Sequence, residues 1–172
     1  MNRKTISRLT GFAIVALLLV CAGVPGLTGR AAAEGPPDLD ITFEAGTVCS
    51  FELRLELWGN QQVYREFKDK DGNVVRAFAG GKGNKILLTN TGTGATFSQT
   101  GGSATKMVFN ADGSTTYKGT GYQIIIFFPT DPAGPGAIQY IGKVVFTTDV
   151  NFVTTINDVD AKETDICAAL GQ

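Results

Sequence analysis

The chain has 172 residues, with 15 lysines and arginines against 16 aspartates and glutamates, and it contains no histidine. The absence of histidine excludes Ser-His-Asp and Cys-His catalysis, the usual haem ligand and histidine-based zinc sites. All the acidic residues follow residue 33, whereas four of the basic residues precede it; 15 minus 4 leaves 11 basic residues against 16 acidic ones, a net charge of −5 for residues 34–172. Because the sequence shows no basic stripe, we expect neither nucleic acid nor a membrane surface as a partner.

Residues 1–33 have the three-part layout of a secretory signal peptide. Three basic residues precede position 9, residues 11–22 form an apolar run that is short for a membrane span of about 20 residues, and residues 31–33 are Ala-Ala-Ala. We predict export to the extracellular space, with cleavage after Ala33 and no membrane attachment afterwards. An earlier cleavage site at residues 20–22 is the alternative.

The remainder of the chain has the pattern of an all-β protein. Residues 34–47 are predicted to be a flexible lead that ends in an edge strand at 41–43, and residues 48–172 a single β domain. Turn residues interrupt the strand patterns about every eight to twelve residues, which predicts a meander of antiparallel hairpins, either closed into a barrel or packed as a sandwich. The predicted strands are 49–57, 63–68, 74–79, 85–89, 95–100, 105–110, 114–118, 124–128, 138–148 and 152–156.

The centre of the predicted domain is the apolar run Ile-Ile-Ile-Phe-Phe at residues 124–128, which is typical of a strand buried on both faces. Residues 129–136 contain three prolines and break this strand, and residues 138–148 return as a second long strand. At the C-terminus, Thr164 is expected to cap a short helix that ends at Leu170 and covers one face of the central strand.

Two cysteines, Cys49 and Cys167, follow the predicted cleavage site. Export places them in an oxidising compartment, and no histidine is present to activate a free thiol. We therefore predict a disulfide between them, which closes a loop of more than about 100 residues.

Several short pieces of the sequence recur together in one group of proteins. They are Cys49, residues 124–128, Gly134-Pro135-Gly136, Tyr140-Ile141-Gly142 and the ending Asp165-Ile166-Cys167-Ala168-Ala169-Leu170. In this arrangement the chain is similar to uncharacterised small secreted actinobacterial β-domain proteins, which have a signal peptide, one early cysteine and one C-terminal cysteine. The resemblance implies export and the disulfide, and no activity is known for the family.

The sequence leads us to predict no catalytic residue, no cofactor and no metal site. Residues 69–73, Asp-Lys-Asp-Gly-Asn, lack the later ligands of a calcium loop, and residues 157–160, Asn-Asp-Val-Asp, fit a solvated turn better than a cation site. Glu52 and Glu56 lie about 13–14 Å apart along one strand, too far for a glycosidase pair.

The candidate binding residues are aromatic side chains at strand ends and a loop rich in proline. Trp58, Tyr64, Tyr122 and Tyr140 each combine a large apolar body with a polar group, and core packing is the alternative role for each. The loop 129–136 is longer than a tight hairpin needs. Asp131 and Pro135 in this loop therefore join Tyr140 in a predicted partner surface.

These observations favour a secreted binding or structural protein without catalysis, whose partner is a protein or a small apolar ligand. The alternative function is a small barrel enzyme of the isomerase or cyclase type that uses a buried carboxylate. Glu66 and Asp149 are the candidates for that carboxylate.

Overall fold

A computed structural model describes residues 19–20, 35–59, 62–81 and 83–172 of the chain. The described residues form two antiparallel sheets and one short C-terminal helix, and the sheets pack as a sandwich without closing into a barrel. The prediction of an all-β fold is confirmed, and the open choice between barrel and sandwich is decided. The predicted signal peptide lies outside the described residues, except for residues 19–20.

The bounds of the elements follow the predicted strands closely in the first half of the chain. In chain order they are β1 (Leu19–Val20), β2 (Leu39–Phe43), β3 (Leu53–Trp58), β4 (Gln62–Lys68), β5 (Val74–Gly81), β6 (Lys85–Asn90), β7 (Thr96–Thr100), β8 (Ser103–Phe109), β9 (Thr115–Phe127), β10 (Gly136–Thr148), β11 (Thr154–Asp165) and α1 (Ile166–Leu170). The small sheet has the order β2-β3-β6-β7. The large sheet has the order β11-β10-β9-β8-β5-β4, and β1 pairs with β9.

The chain is not the simple meander that the turn spacing suggested. The hairpins β4–β5, β6–β7, β8–β9 and β9–β10 form as predicted, but β3 and β4, β5 and β6, and β7 and β8 lie in different sheets and do not pair. β4 and β5 join the large sheet, while β6 returns to the small sheet beside β3. The pairings β3–β6 and β5–β8 therefore join strands from different hairpins. Local turns decide which strands form a hairpin, whereas packing between distant hairpins decides which hairpins are neighbours.

The strand β3 shows why the small sheet forms. Leu53, Leu55 and Leu57 alternate into the core, while Arg54 faces outward and donates to both carboxylate oxygens of Asp40 on β2, at 2.9 and 2.7 Å. The hydrogen bonds from Arg54 hold the pKa of the Asp40 carboxyl below its usual range. The inward row packs into the main core between the sheets, whose buried members are Val48, Cys49, Leu53, Leu55, Leu57, Ile86, Leu88, Ile124, Ala137, Ile166 and Leu170.

The C-terminal helix is attached to this core. Ile166 and Leu170 belong to the same buried cluster as Ile124, so the helix contributes to the core that covers one face of the predicted central strand. Its first turn is capped by the side chain of Asp165, which accepts from the Ala168 N–H, and not by Thr164 as predicted. The predicted disulfide is confirmed: Cys49 and Cys167 lie at bonding distance, with their Cα atoms 5.4 Å apart and a sequence separation of 118.

The strands β9 and β10, which form one long hairpin, are sharply bent. Each has 13 residues, which would span about 40 Å if straight. However, the carboxylate of Asp131, in the loop between them, accepts the backbone N–H of Thr154 at 2.6 Å. Thr154 pairs with Thr148 at the far end of β10, so the two ends of the hairpin lie close together. The bend lies at Gly121 and Gly142, which pair with each other and have φ values of +86° and +142°.

A second core cluster lies inside this bend. Its buried members are Ile125, Phe127, Tyr140, Val144 and Phe146. Successive residues Ile124 and Ile125 thus enter different clusters, which confirms the prediction of a strand buried on both faces.

The strand β11 is longer than the predicted strand 152–156. Residues 157–160 are part of it and do not form the expected turn, because residues 158–160 pair with β10 and Asn157 lies where the register shifts. The Nζ atom of Lys143 on β10 lies 2.5 Å from the carboxylate of Asp158. This ion pair reduces the repulsion between the acidic side chains of β11.

Candidate binding surface

The predicted partner surface around the loop 129–136 is not assembled as one site. Tyr140 is buried in the second core cluster, where burial, with a further contribution from the charge of Glu163, raises the pKa of its hydroxyl to about 12. Asp131 is also buried, and its two carboxylate oxygens accept the backbone N–H groups of Phe128 and Thr154, each at 2.6 Å. Pro135 is exposed in the loop. Both Asp131 and Tyr140 therefore support the fold and do not face solvent.

The other predicted aromatic residues are spread over the two sheets. Trp58, at the end of β3, donates from Nε1 to the carbonyl of Gly35 at 3.2 Å, and the Nζ atom of Lys85 lies 5.1 Å from the centroid of its ring. Tyr122 is half-buried in β9, whereas Tyr64 on β4 is 52% exposed. Of the four predicted aromatic residues, Tyr64 is the one that a partner can reach on an open strand.

The two carboxylates proposed for the alternative enzymatic function lie on an exposed strand and in a turn, respectively. Glu66 is exposed on β4. Asp149 accepts the backbone N–H groups of Asn151 and Val153 through Oδ1, in the turn between β10 and β11. Within the described ranges, no group of three or more His, Cys, Asp or Glu side chains is placed to hold a metal ion. In that same part of the chain, no helix is both long and apolar enough to cross a membrane.

The most open part of the large sheet is its edge strand β4 with the neighbouring strands β5 and β8. Every side chain from Val63 to Lys68 is exposed, because β4 has no second neighbour in the described sheet and neither of its faces is covered. The strand register places one set of side chains on the same face. We call this set the basic-aromatic face; it consists of Val63, Arg65, Phe67, Arg76, Phe78 and Lys106.

The basic-aromatic face contains a shallow apolar cavity. Its volume is about 220 Å³, and it is lined by Phe67, Arg76, Ala77, Phe78 and Lys106. The rings of Phe67 and Phe78 are 46% and 41% exposed, and the guanidinium of Arg76 lies 5.5 Å from the centroid of the Phe67 ring. Such a cavity suits an apolar group with a negative charge beside it.

The same face concentrates positive charge. In the register, Arg65 lies opposite Phe78, Phe78 opposite Lys106, and Lys106 opposite Lys118 on β9. Like charges directly opposite each other on antiparallel strands are destabilising, so an anion at this position would be favoured. Among the described residues, the ion pairs join Arg54 to Asp40 and Glu56, and Lys143 to Asp158. No carboxylate of the described chain is therefore paired with the cations of the basic-aromatic face.

This charge distribution could not be found by scanning the sequence for a basic stripe. The basic residues of the face, Arg65, Arg76 and Lys106, follow one another at separations of 11 and 30 positions along the chain, and the sheet brings them together. One local signal was available: β4 carries Tyr64 on one face and Phe67 on the other, so neither face reads as the polar side of a half-buried strand.

A scan against protein-family models, a search of curated proteins and a search of solved structures each found no match to this chain. The geometry of the basic-aromatic face is therefore the basis for a functional proposal.

Proposed function

We propose that this protein is an exported β-sandwich that acts by contact, as a binding or structural protein without catalysis, and that the basic-aromatic face is its contact surface. The observation that carries the proposal is the exposure of Phe67 and Phe78 around an apolar cavity on a rigid sheet. Large aromatic side chains beside basic ones are typical of protein interfaces, since they gain free energy when a partner removes them from water.

The kind of partner follows from the size of the cavity. Small-molecule sites usually enclose about 300–1,000 Å³ and bury most of the ligand. The cavity between Phe67 and Phe78 has about 220 Å³ and is open to solvent. A protein surface that inserts a side chain there is favoured over a small apolar ligand.

No observation on the described residues favours the isomerase or cyclase alternative. The buried carboxylate of Asp131 already accepts two backbone N–H groups, and the hydroxyl of Tyr140 is buried in the second core cluster. Neither side chain lines the cavity.

The proposal is tested by native mass spectrometry of the protein recovered from the medium of a secreting culture. After the medium is concentrated, the wild type is expected to carry a bound protein. A variant with Phe67→Ser and Phe78→Ser should lose it, because both walls of the cavity are removed. Phe109→Ser is the matched control, since Phe109 is 38% exposed but belongs by strand alternation to the opposite face of β8. Recovery of the same complex with the double variant would refute the proposal.

A further inference from the structure

The large sheet ends in two edge strands of opposite charge. Its order places β11 at one end and β4 at the other, so each leaves a row of backbone N–H and C=O groups without a neighbour in the described sheet. Such a row is a template for a further strand. The side chains on the two edges then decide which strand fits.

The edge strand β11 is acidic, whereas the surface at β4 is basic. β11 contains Asp158, Asp160, Glu163 and Asp165 against one lysine, Lys162. Lys143 on β10 partly offsets this charge, because it pairs with Asp158. At the other end, β4 contains Arg65 and Lys68 against Glu66, and the neighbouring strands add Arg76 and Lys106.

The directions of the two edge strands also allow β11 of one molecule to pair with β4 of another. All neighbours from β11 to β4 are antiparallel and the path has six strands, so the two edge strands run in opposite directions. A second molecule in the same orientation therefore presents its β11 antiparallel to β4 of the first, with each face of the sheet continued. On the face that carries Arg65, the register gives β11 the side chains Asp158 and Asp160.

We propose that β4 of one molecule receives β11 of a second copy, so that the large sheet continues from molecule to molecule. This inference rests on the proposed function and names the partner of the contact surface. Val63 and Phe67 flank Arg65 and would be covered at the junction. A two-fold β4–β4 contact centred on Arg65 or Glu66 would instead place like charges opposite each other, which is unfavourable. The contact is head to tail, and it builds rings or open chains.

The contact is expected to be weak and sensitive to salt. A ladder on the seven residues of β4 buries less than the roughly 1,000 Å² of a stable interface, so association requires high protein concentration. Because exposed charges attract across the junction, added salt screens them and dissociates the assembly.

The test is sedimentation velocity on the full disulfide-closed protein. The weight-average sedimentation coefficient of the wild type should rise between about 10 µM and about 1 mM at low ionic strength and fall again at about 0.5 M salt. An acidic-β4 variant, Arg65→Glu with Lys68→Glu, and a basic-β11 variant, Asp160→Lys with Glu163→Lys, should each associate at least about tenfold more weakly. All four positions are exposed, so both variants should fold.

The decisive sample is an equimolar mixture of the two variants. In the mixture, the acidic β11 of the first variant meets the basic β4 of the second, and the acidic β4 of the first meets the basic β11 of the second. Association should therefore return to near the wild-type strength. A matched control, Glu44→Lys with Glu52→Lys, changes the same number of charges away from both edges and should associate like the wild type.

Three outcomes would overturn the inference: a wild-type sedimentation coefficient that does not change with concentration at low ionic strength, variants that associate like the wild type, or a mixture that stays dissociated. If the wild type remains a monomer but binds a different protein that is lost with the Phe67→Ser and Phe78→Ser variant, the contact surface stands and its occupant is a foreign protein. If the double variant keeps its complex, the proposed function itself fails.

Discussion

At the scale of the residue, Phe152 occupies a position that favours glycine. Three turns of the protein, at residues 69–73, 110–114 and 149–153, have the same build: the N–H of the fourth residue donates to the carbonyl of the first. The fourth residue has a positive φ in each, +86° at Gly72, +84° at Gly113 and +64° at Phe152. A bulky residue in this left-handed region is strained. Its ring is nevertheless 57% exposed, so core packing gives little in return.

We predict that Phe152→Gly raises the free energy of unfolding by about 1 kcal/mol, because glycine adopts the left-handed conformation without strain. Urea denaturation monitored by circular dichroism measures the change. Val150→Gly is the control in the same turn: Val150 is also exposed but has no positive φ, so glycine there should lower stability through the greater entropy of the unfolded chain. A lower stability for Phe152→Gly would show that the ring makes a stabilising contact.

At the scale of the element, alternation in the sequence predicts strands well where one face is buried, and less well at bends and edges. The row Leu53, Leu55 and Leu57 identified β3, because its outward residues are polar. Gly119-Thr120-Gly121 indicates a bulge or a sharp bend between the segments 114–118 and 124–128, and the two segments form one bent strand, β9, since a glycine in a strand can bend it without ending it. Residues 157–160 have the composition of a turn, and the ion pair with Lys143 is not visible in the local sequence.

The bend itself yields the prediction for this scale. A Cβ atom added at Gly142 would lie 2.5 Å from the carbonyl oxygen of Asp160, and φ at this position is +142°. Gly142→Ala should therefore lower the free energy of unfolding by about 2–4 kcal/mol, through strain and displacement of β11. Thermal unfolding followed by circular dichroism tests it, with Gly136→Ala as the control because no atom lies within 4 Å of a Cβ there. Equal melting temperatures for the two variants would show that the strands accommodate a methyl group at Gly142 without strain.

At the scale of the whole molecule, the sequence was sufficient for the fold class and the disulfide but not for the sheet order or the contact surface. The pairings β3–β6 and β5–β8 depend on burial between segments far apart in the chain. The same pairings bring Phe78 and Lys106 beside the edge strand, so a surface made by three strands could not be assembled before the sheet order was known. In the sequence, Tyr64 combines a large ring with a polar group, whereas Phe67 has the ring alone and Arg65 the charge alone, so only Tyr64 has the character of a binding residue before the sheet is assembled.

The disulfide gives the prediction for the whole molecule, because it joins the start of the main core to the C-terminal helix across 118 residues. The helix has other attachments: Ile166 and Leu170 are buried, and Nδ2 of Asn90 donates to the carbonyl of Leu170 at 3.0 Å. The folded protein without the bridge should therefore keep its structure, and the loss should come mainly from the greater entropy of the unfolded chain.

Cys167→Ser is accordingly expected to lower the free energy of unfolding by about 2–5 kcal/mol, with a near-ultraviolet circular dichroism spectrum close to that of the wild type. Cys49→Ser and the double variant should lose the same amount, since each removes the same bridge, and wild-type protein unfolded in the presence of a reductant should match them. Urea denaturation of all four samples makes the comparison. If Cys167→Ser lost its tertiary spectrum while Cys49→Ser retained it, the Cys167 side chain would be needed for helix packing, and the effect would belong to the folded state.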